Sequence, residues 1–448
     1  MSEIRDPIYG FIIPSKKELK IIDTFLFQRL RRIKQLSLAY LVYPGALHTR
    51  FDHSLGVYHV ASKIADQLLP GRENEENRAI VRYAALLHDV GHGPFSHSSE
   101  PILNKFFKNK NVEKVHEAIT FELIRNDKEV NQILGSTEID QIINLLNGDN
   151  VNCSIMKEII SSPLDADKLD YLLRDSYFCG VKYGVFDYQR LLNTLYYYKD
   201  RQDKHIAVKY DGVNSLEQFI LAKYYMTQQV YRHKVRMLTD SMIIRGLELG
   251  IEVDEIPFLK KLFSYSPDDE YFKNYLKYYD EKVFNDILSF KSKGKAFEIF
   301  NRLHHRNLFK RIFSEKLKDT EANPIIKDKL IHIGKNEKLR KKIESLISQL
   351  LISPQNDQAY IIANTFKFKS VKEISRGNSE EKLIILTPEG IPTDFQNESN
   401  LFNSINQSLN DVYFEIYAPV SYDSPFEKEK LLQKYKIEIN RILKDLEE

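Results

Sequence analysis

The run from Leu86 to His97, Leu-Leu-His-Asp-Val-Gly-His-Gly-Pro-Phe-Ser-His, constrains this chain more than any other stretch. The preceding residues, Ala79 to Ala85, are helical text in which Ile80, Ala84, Leu87 and His88 share one face. His88 therefore points inward with the apolar side chains. Asp89 follows in the last turn, and Gly91, Gly93 and Pro94 then break the helix. An imidazole and a carboxylate are held together where a buried helix ends. A desolvated carboxylate needs a counter-charge or a metal, and a metal ion satisfies both groups.

A second inward imidazole precedes it. After the Tyr43-Pro44-Gly45 turn, a helix is readable from His53, because Val57, Val60, Ile64 and Leu68 lie on its face. Seven of the 12 histidines, at 48, 53, 59, 88, 92, 97 and 116, fall in the first 120 residues, a clustering that packing alone explains poorly. The third contribution comes from Ser162 to Asp175, where Pro163 and Asp165 suit a helix start. There Asp167, Lys168, Tyr171, Arg174 and Asp175 fall on one stripe, with Leu169, Leu172 and Leu173 to the other side. Such a stripe reads either as an exposed face with internal ion pairs or as an acid for a metal flanked by cations for phosphates.

His53, His88, Asp89 and Asp167 make a mixed nitrogen and oxygen ligand set on three helices. It suits Mn, Fe, Co, Ni or Zn better than the all-oxygen cage of Ca. Four protein ligands leave positions open for water and a substrate oxygen. His92, His97 and His116 remain as proton donors, with Glu100 and Glu117 near enough in sequence to orient them. The spacing supports a metal-dependent hydrolase of a phosphorylated substrate.

The rest of the chain is expected to be mainly α, with a smaller α+β region at the C-terminal side. A short strand over Gly10–Pro14 precedes one helix from Lys17, in which Leu19, Ile22, Phe25, Leu26, Leu30, Ile33 and Leu36 recur at helical steps. Residues 214–250 read as a long helical segment, and strands are expected at Tyr360–Ile362, Lys382–Leu386 and Val412–Tyr417 before a terminal helix from about Ser424. At 448 residues the chain suits a large domain, 1–290, with an appended one, 291–448. The net charge of +2 excludes a dedicated polyanion coat, although residues 291–350 carry 16 Lys or Arg against 7 Asp or Glu. Cys153 and Cys179 are too few for a disulfide framework and read as packed thiols in a reducing compartment. No run approaches the roughly 18 apolar residues of a membrane helix, so a cytoplasmic location is expected.

At these residues the sequence resembles the HD-domain phosphohydrolases, and within them the deoxynucleoside triphosphate (dNTP) triphosphohydrolases. The likeness runs in order from Asp6-Pro7-Ile8-Tyr9-Gly10 through Phe27–Leu36, Pro44-Gly45-Ala46, Arg50–Val57, His88–His97, Asp167–Tyr171 and Tyr231–Lys234 to Arg306–Lys310. His-Asp alone is a weak signal, whereas this ordered series is a strong one. The resemblance implies an HD helical core, with His53, His88, Asp89 and Asp167 on the metal. It implies Arg50 and Lys168 on the triphosphate, with Mg accompanying the nucleotide. Proton transfer to the leaving 5′ oxygen falls to His97 and His116, with His92 and Glu100 beside them. Gln35, Asp175 and Tyr231 fall where the family reads deoxyribose, and Tyr171 belongs to the same triphosphate-favouring set. The implied reaction converts a dNTP and water to a deoxynucleoside and inorganic triphosphate.

The same resemblance assigns Asp23, Gln28 and Arg31 to a guanine-nucleotide activator site, completed by Arg306 and Lys310 from another part of a homo-oligomer, a dimer or a tetramer. The alternatives are an HD phosphodiesterase or nucleotidase acting on other nucleotides, and a nucleotide-sensing or nucleic-acid-binding protein supported by the basic segment.

Overall fold

Asp6 turns the chain at its start. Its Oδ1 accepts the backbone N–H groups of Ile8 at 2.8 Å and Tyr9 at 3.0 Å, and strands β1 (Ile4–Asp6) and β2 (Gly10–Ile12) pair antiparallel across the turn. The computed structural model describes residues 3–107, 115–149, 154–200, 203–317, 330–333, 336–351, 357–368, 382–404 and 411–445. Backbone packing divides it into two units, Met1–His233 with Lys261–Val283 and Val371–Asn406, and Lys234–Lys260 with Phe284–Ser370 and Gln407–Glu448.

In the first unit, the single helix expected from Lys17 is three pieces: α1 (Lys16–Ile22), α2 (Phe25–Gln28) and a 3₁₀ turn at Arg29–Arg32. Thr24 causes the break. Its hydroxyl donates to Ile21 O at 2.7 Å and accepts Phe27 N at 3.3 Å, closing one helix while capping the next. The apolar spacing survives the break, and Ile22, Leu26, Leu30 and Ile33 are all buried.

Four longer helices follow: α3 (Arg50–Leu68), α4 (Glu75–Leu87) and, after α5 (Glu100–Phe106), α6 (Val115–Asn126) and α7 (Lys128–Asn147). α8 (Ser154–Ile160) and α9 (Ala166–Cys179) complete the core. Asp165 caps α9 by accepting Lys168 N at 2.8 Å. α9 lies directly on α3, and Gly56 makes this possible, since a Cβ there would stand 1.8 Å from Asp170 Oδ1.

α10 (Tyr188–Thr194) leads into a hairpin of β3 (Leu195–Asp200) and β4 (Asp203–Lys209) that the sequence reading missed. The strand expected at Lys382–Leu386 forms at Ile384–Leu386 and pairs parallel to β4. The long helix expected over 214–250 is interrupted: α11 (Val213–Met226) ends in a π turn at Thr227–Tyr231, and α12 begins at Lys234 and runs to Glu252. Thr227 loosens the ladder there by donating its hydroxyl to Lys223 O at 2.7 Å.

The second unit sets a three-stranded antiparallel sheet against helices. β5 (Lys310–Leu317), also missed from sequence, and β6 (Ile362–Phe368) flank β7 (Asp411–Ala418). Ile312, Phe313, Phe414 and Ile416 share a core with Ile343 and Ile347 of α14 (Glu337–Ser348) and Tyr435, Ile439 and Leu443 of α15 (Pro425–Asp445). α13 (Lys295–His304) packs on α12. The fold is thus mainly helical, with an α+β region toward the C-terminal side. Cys179 is a buried thiol outside any disulfide, and Cys153 and residues 318–329 of the basic segment lie outside the described residues. Among the described residues, no helix is long and apolar enough to cross a membrane.

Candidate metal centre and active site

The sequence places Asp89 in the last turn of this helix, but α4 ends at Leu87 with His88 as its C-cap and Asp89 in the turn beyond, and His88 Nδ1 donates to Ala85 O at 2.8 Å. Its Nε2 is therefore free of the helix and faces the site. His53, in the first turn of α3, is fixed in the same way: Asp170 Oδ2 lies 2.8 Å from its Nδ1. Asp167, in the first turn of α9, brings Oδ1 to 2.9 Å from His53 Nε2. One ligand atom from each of His53, His88 and Asp167 lies within 4.8 Å of the others. Asp89 stands beside them, with Oδ1 at 3.4 Å from His88 Nε2 and Oδ2 at 3.7 Å from His53 Nε2.

The donor set fits a transition metal on an observation independent of spacing. Among the described residues, His53 Nε2 is buried against the Asp167 carboxylate at 2.9 Å, and His88 Nε2 is buried without a hydrogen-bond partner. Buried polar atoms are rarely left so, and two imidazole lone pairs aimed at one point beside two carboxylates is what a cation would satisfy. Against the cost of burial, the hydrogen bonds that His53 makes to Asp167 and Asp170 push its imidazole up to about 10. Against the same cost, Arg50 and then His88 hold the Asp89 carboxyl well below the usual range.

A cavity of about 520 Å³ opens in front of this cluster, lined by His88, Asp89 and Asp167 and by Gln35, Arg50, Lys168 and Tyr171. Arg50 donates to Asp89 Oδ2 at 2.6 Å and to Ser96 Oγ at 2.8 Å. Lys168 pairs with Asp165 at the helix start.

On the other wall, three imidazoles converge on one carboxylate oxygen. Glu100 Oε1 lies 2.8 Å from His97 Nδ1, 2.8 Å from His116 Nδ1 and 3.7 Å from His92 Nδ1. Burial opposes its charge, yet the hydrogen bonds from His116 and His97 hold Glu100 well below the usual carboxylate range. Burial and the nearby Arg50 guanidinium push His92 well down, toward the neutral ring. The turn that delivers His97 is left-handed at Phe95 (φ 64°) and Ser96 (φ 54°), a conformation non-glycine residues hold only under constraint. Asp280 Oδ1, accepting Phe95 N at 2.7 Å, supplies that constraint.

Asp175 and Tyr231 also meet, the Tyr231 hydroxyl donating to Asp175 Oδ2 at 2.7 Å, and the Tyr231 ring stands 6.0 Å from that of Tyr171. Arg174 departs from the stripe on which the sequence placed it. It is fully buried, bonded to Asp170 and to Asp6 Oδ2 at 2.9 Å. The i and i+4 spacing of Asp170 and Arg174 is the sequence signal for this internal ion pair.

Of the residues expected at an activator site, Arg31 Nε donates to Gln28 Oε1 at 2.8 Å, with its guanidinium over the Phe51 ring, and Asp23 is an exposed C-cap of α1. These lie in the first unit. Arg306 and Lys310 lie in the second, in the lining of a cavity of about 430 Å³ together with Lys234, Arg311 and Lys428.

A helical core that gathers His and Asp ligands from three helices defines the HD class, and residues 50–174 match the HD domain, with the HD-associated region following over residues 186–377. The chain belongs to the HD-domain family and is related to the dNTP triphosphohydrolases. It is 31% identical to a hypothetical protein from Aquifex aeolicus of known crystal structure, covering 98% of this chain and 99% of that one with a TM-score of 0.71. It is 36% identical to the uncharacterised protein YwfO of Bacillus subtilis, over 59% of this chain and 58% of that protein. It is 30% identical to the deoxynucleoside triphosphate triphosphohydrolase SAMHD1 of Gallus gallus, over 73% of this chain and 58% of that protein. The chain thus spans about three-fifths of the length of these curated relatives, 58% of each.

Proposed function

We propose that this protein is a metal-dependent triphosphohydrolase that converts a dNTP and water to a deoxynucleoside and inorganic triphosphate. The observation that carries the reading is one cavity. Its lining brings His88, Asp89 and Asp167 of the metal cluster together with His97, His116 and Glu100 and with Arg50 and Lys168, and His88 Nε2 is buried without a hydrogen-bond partner among the described residues. The likeness to the chicken enzyme supports the choice of substrate.

His53, His88, Asp89 and Asp167 would hold the metal, which supplies an acidified water and neutralises phosphate charge. Arg50 and Lys168 bind the triphosphate oxygens as charge-assisted donors. His97, oriented through Nδ1 by Glu100, keeps Nε2 for the proton that the leaving 5′ oxygen requires. His116 and His97 hold Glu100 ionised, and His92 stands beside them. Gln35, Asp175 and Tyr231 take the sugar, and Tyr171 stands with the triphosphate-favouring set.

A guanine nucleotide or dNTP bridging subunits of a homo-oligomer is the proposed activator, through Asp23, Gln28 and Arg31 with Arg306 and Lys310. The cavity around Arg306 and Lys310 is lined by five cationic side chains, of which Arg311 pairs with Glu415, and by the rings of Phe309, Tyr417 and Tyr422, a lining suited to nucleotide phosphates and a base.

The test is chromatographic product analysis with each dNTP, singly and mixed, on metal-loaded protein. Deoxynucleoside plus triphosphate is expected, faster in the mixture or with GTP, and Asp167→Ala or His88→Ala abolishes turnover and metal content with the fold intact. Monophosphate products would move the assignment to an HD phosphodiesterase or nucleotidase. Inertness combined with nucleotide or single-strand binding would move it to a sensing protein.

A further inference from the structure

His48 was noted in the sequence only as one of a cluster, and the mechanism above gives it no task. It is buried in the first unit just before α3, its ring stacked on Phe178 at 4.7 Å and 16°. Its Nε2 lies 2.7 Å from Asp175 Oδ1, while the other oxygen of Asp175 accepts the Tyr231 hydroxyl at 2.7 Å. His48 Nδ1 is buried with no hydrogen-bond partner. The proton that makes the contact is therefore on Nε2, and the ring donates to the carboxylate.

The backbone of the same residue reaches a second member of the sugar-facing set. His48 O accepts Gln35 N at 3.0 Å, next to a bridge between Lys34 and Thr49 and a bond from Arg50 N to Ile33 O at 2.8 Å. Gln35 lines the catalytic cavity, and its side-chain Oε1 is buried without a partner. One residue thus ties down both Asp175 and Gln35, through its side chain and its main chain respectively.

We propose that His48 is a positioning residue for sugar recognition. Its Nε2–H holds the Asp175 carboxylate in the orientation that receives the Tyr231 hydroxyl, and so sets where Tyr231 stands against the 2′ position of a bound nucleotide. His48 touches no reacting atom. Its effect falls on the choice between deoxyribose and ribose and on substrate affinity, not on the chemical step. A carboxylate held from one side by an imidazole and from the other by a phenol has little freedom to rotate, and a site built on such fixed groups discriminates best.

This inference rests on the deoxyribose reading of Asp175 and Tyr231, and the test separates the two. His48→Phe keeps a ring to stack on Phe178 and removes the donor, whereas His48→Gln restores a donor near the Nε2 position. Steady-state kinetics are measured for dATP, dGTP, ATP and GTP on metal-loaded wild type and both variants, with metal content and melting temperature recorded for each. Expected for His48→Phe is a rise in KM for dNTPs of about tenfold or more, the size of one lost hydrogen bond to a charged group. The ratio of kcat/KM between deoxy- and ribonucleotides should fall, with kcat and metal content little changed, and His48→Gln should recover most of the ratio. Wild-type turnover of dNTPs with an unchanged ratio in a folded His48→Phe overturns the positioning role alone. A wild type inert to every dNTP overturns the function and this role with it.

Discussion

Asp170 Oδ2 stands 2.8 Å from His53 Nδ1, and Arg174 donates to both oxygens of the same carboxylate at 2.9 Å. Asp6 Oδ2 accepts Arg174 in turn, also at 2.9 Å. The imidazole is thereby locked with Nε2 toward the cavity, the arrangement in which an outer carboxylate fixes the tautomer and raises ligand basicity. Asp170→Asn should weaken binding of Mn or Co about 10- to 100-fold, read by competition with a chromophoric chelator. An unchanged affinity would show that His53 does not depend on this support.

His97 makes a contrasting prediction. It is 58% exposed at its side chain and reaches the site through a hydrogen bond to Glu100 at 2.8 Å. It is no part of the imidazole and carboxylate cluster that would hold a metal. His97→Ala should keep metal content and melting temperature near wild type while kcat falls about 10²- to 10⁴-fold, the usual worth of a positioned proton donor. Loss of metal together with rate would place His97 in the wrong group.

The sequence makes the candidate site legible for a geometric reason. His53, His88 and Asp167 each sit in the first or last turn of a helix, where periodicity and cap residues together fix which way a side chain points. Their partners are less legible, because each contact is long-range. Asp170 sits in the DKLDY string, yet only the approach of α3 at Gly56 puts it against His53. His48 needs the close of α9 to become a hydrogen-bond donor. The missed elements have a similar cause. In the hairpin Leu195–Lys209 three consecutive tyrosines in the first strand and the polar start of the second break the two-residue alternation, and β5 begins in a basic run whose charges mask its alternation. The helix breaks at Thr24 and Thr227 are made by hydroxyls that bond the preceding turn, a choice that apolar spacing does not record.

Asp280 gives stability a pH dependence of known sign. Its two oxygens accept Phe95 N at 2.7 Å and Lys34 N at 2.9 Å, and burial pushes the carboxyl up to about 6 against those two bonds. The folded chain holds this proton more tightly than the unfolded one. The stabilisation is therefore complete below about pH 4 and is lost as pH rises through 6, by at most about 3 kcal/mol. Asp280→Asn is less stable at low pH because one backbone N–H loses its acceptor. The gap in melting temperature between wild type and variant should narrow from about pH 4 to 7. Parallel curves would mean that Asp280 is already ionised in the folded chain throughout.

In the second unit, Arg245 and Glu344 form an ion pair of 2.6 Å whose side chains are 10% and 1% exposed. Burial pushes Glu344 up, and Arg245 opposes that shift. The pair also does backbone work, since Glu344 Oε1 accepts Ala363 N at 3.1 Å, on β6, and Arg245 donates to Ala359 O at 3.3 Å. Among the described residues Glu344 Oε2 has no hydrogen-bond partner, and Arg245 is the cation bonded to this carboxylate, with Arg340 a further favourable charge. Arg245→Leu leaves it buried and unpaired, which typically costs about 3–5 kcal/mol. Replacing both at once, with Arg245→Leu and Glu344→Leu, removes the stranded charge but also the acceptor for Ala363 N. The double variant should therefore recover part of the loss and not all of it. Urea unfolding of the two singles and the double closes the cycle: a coupling near zero would mean that the ion pair is dispensable and that the main-chain bonds carry the contact.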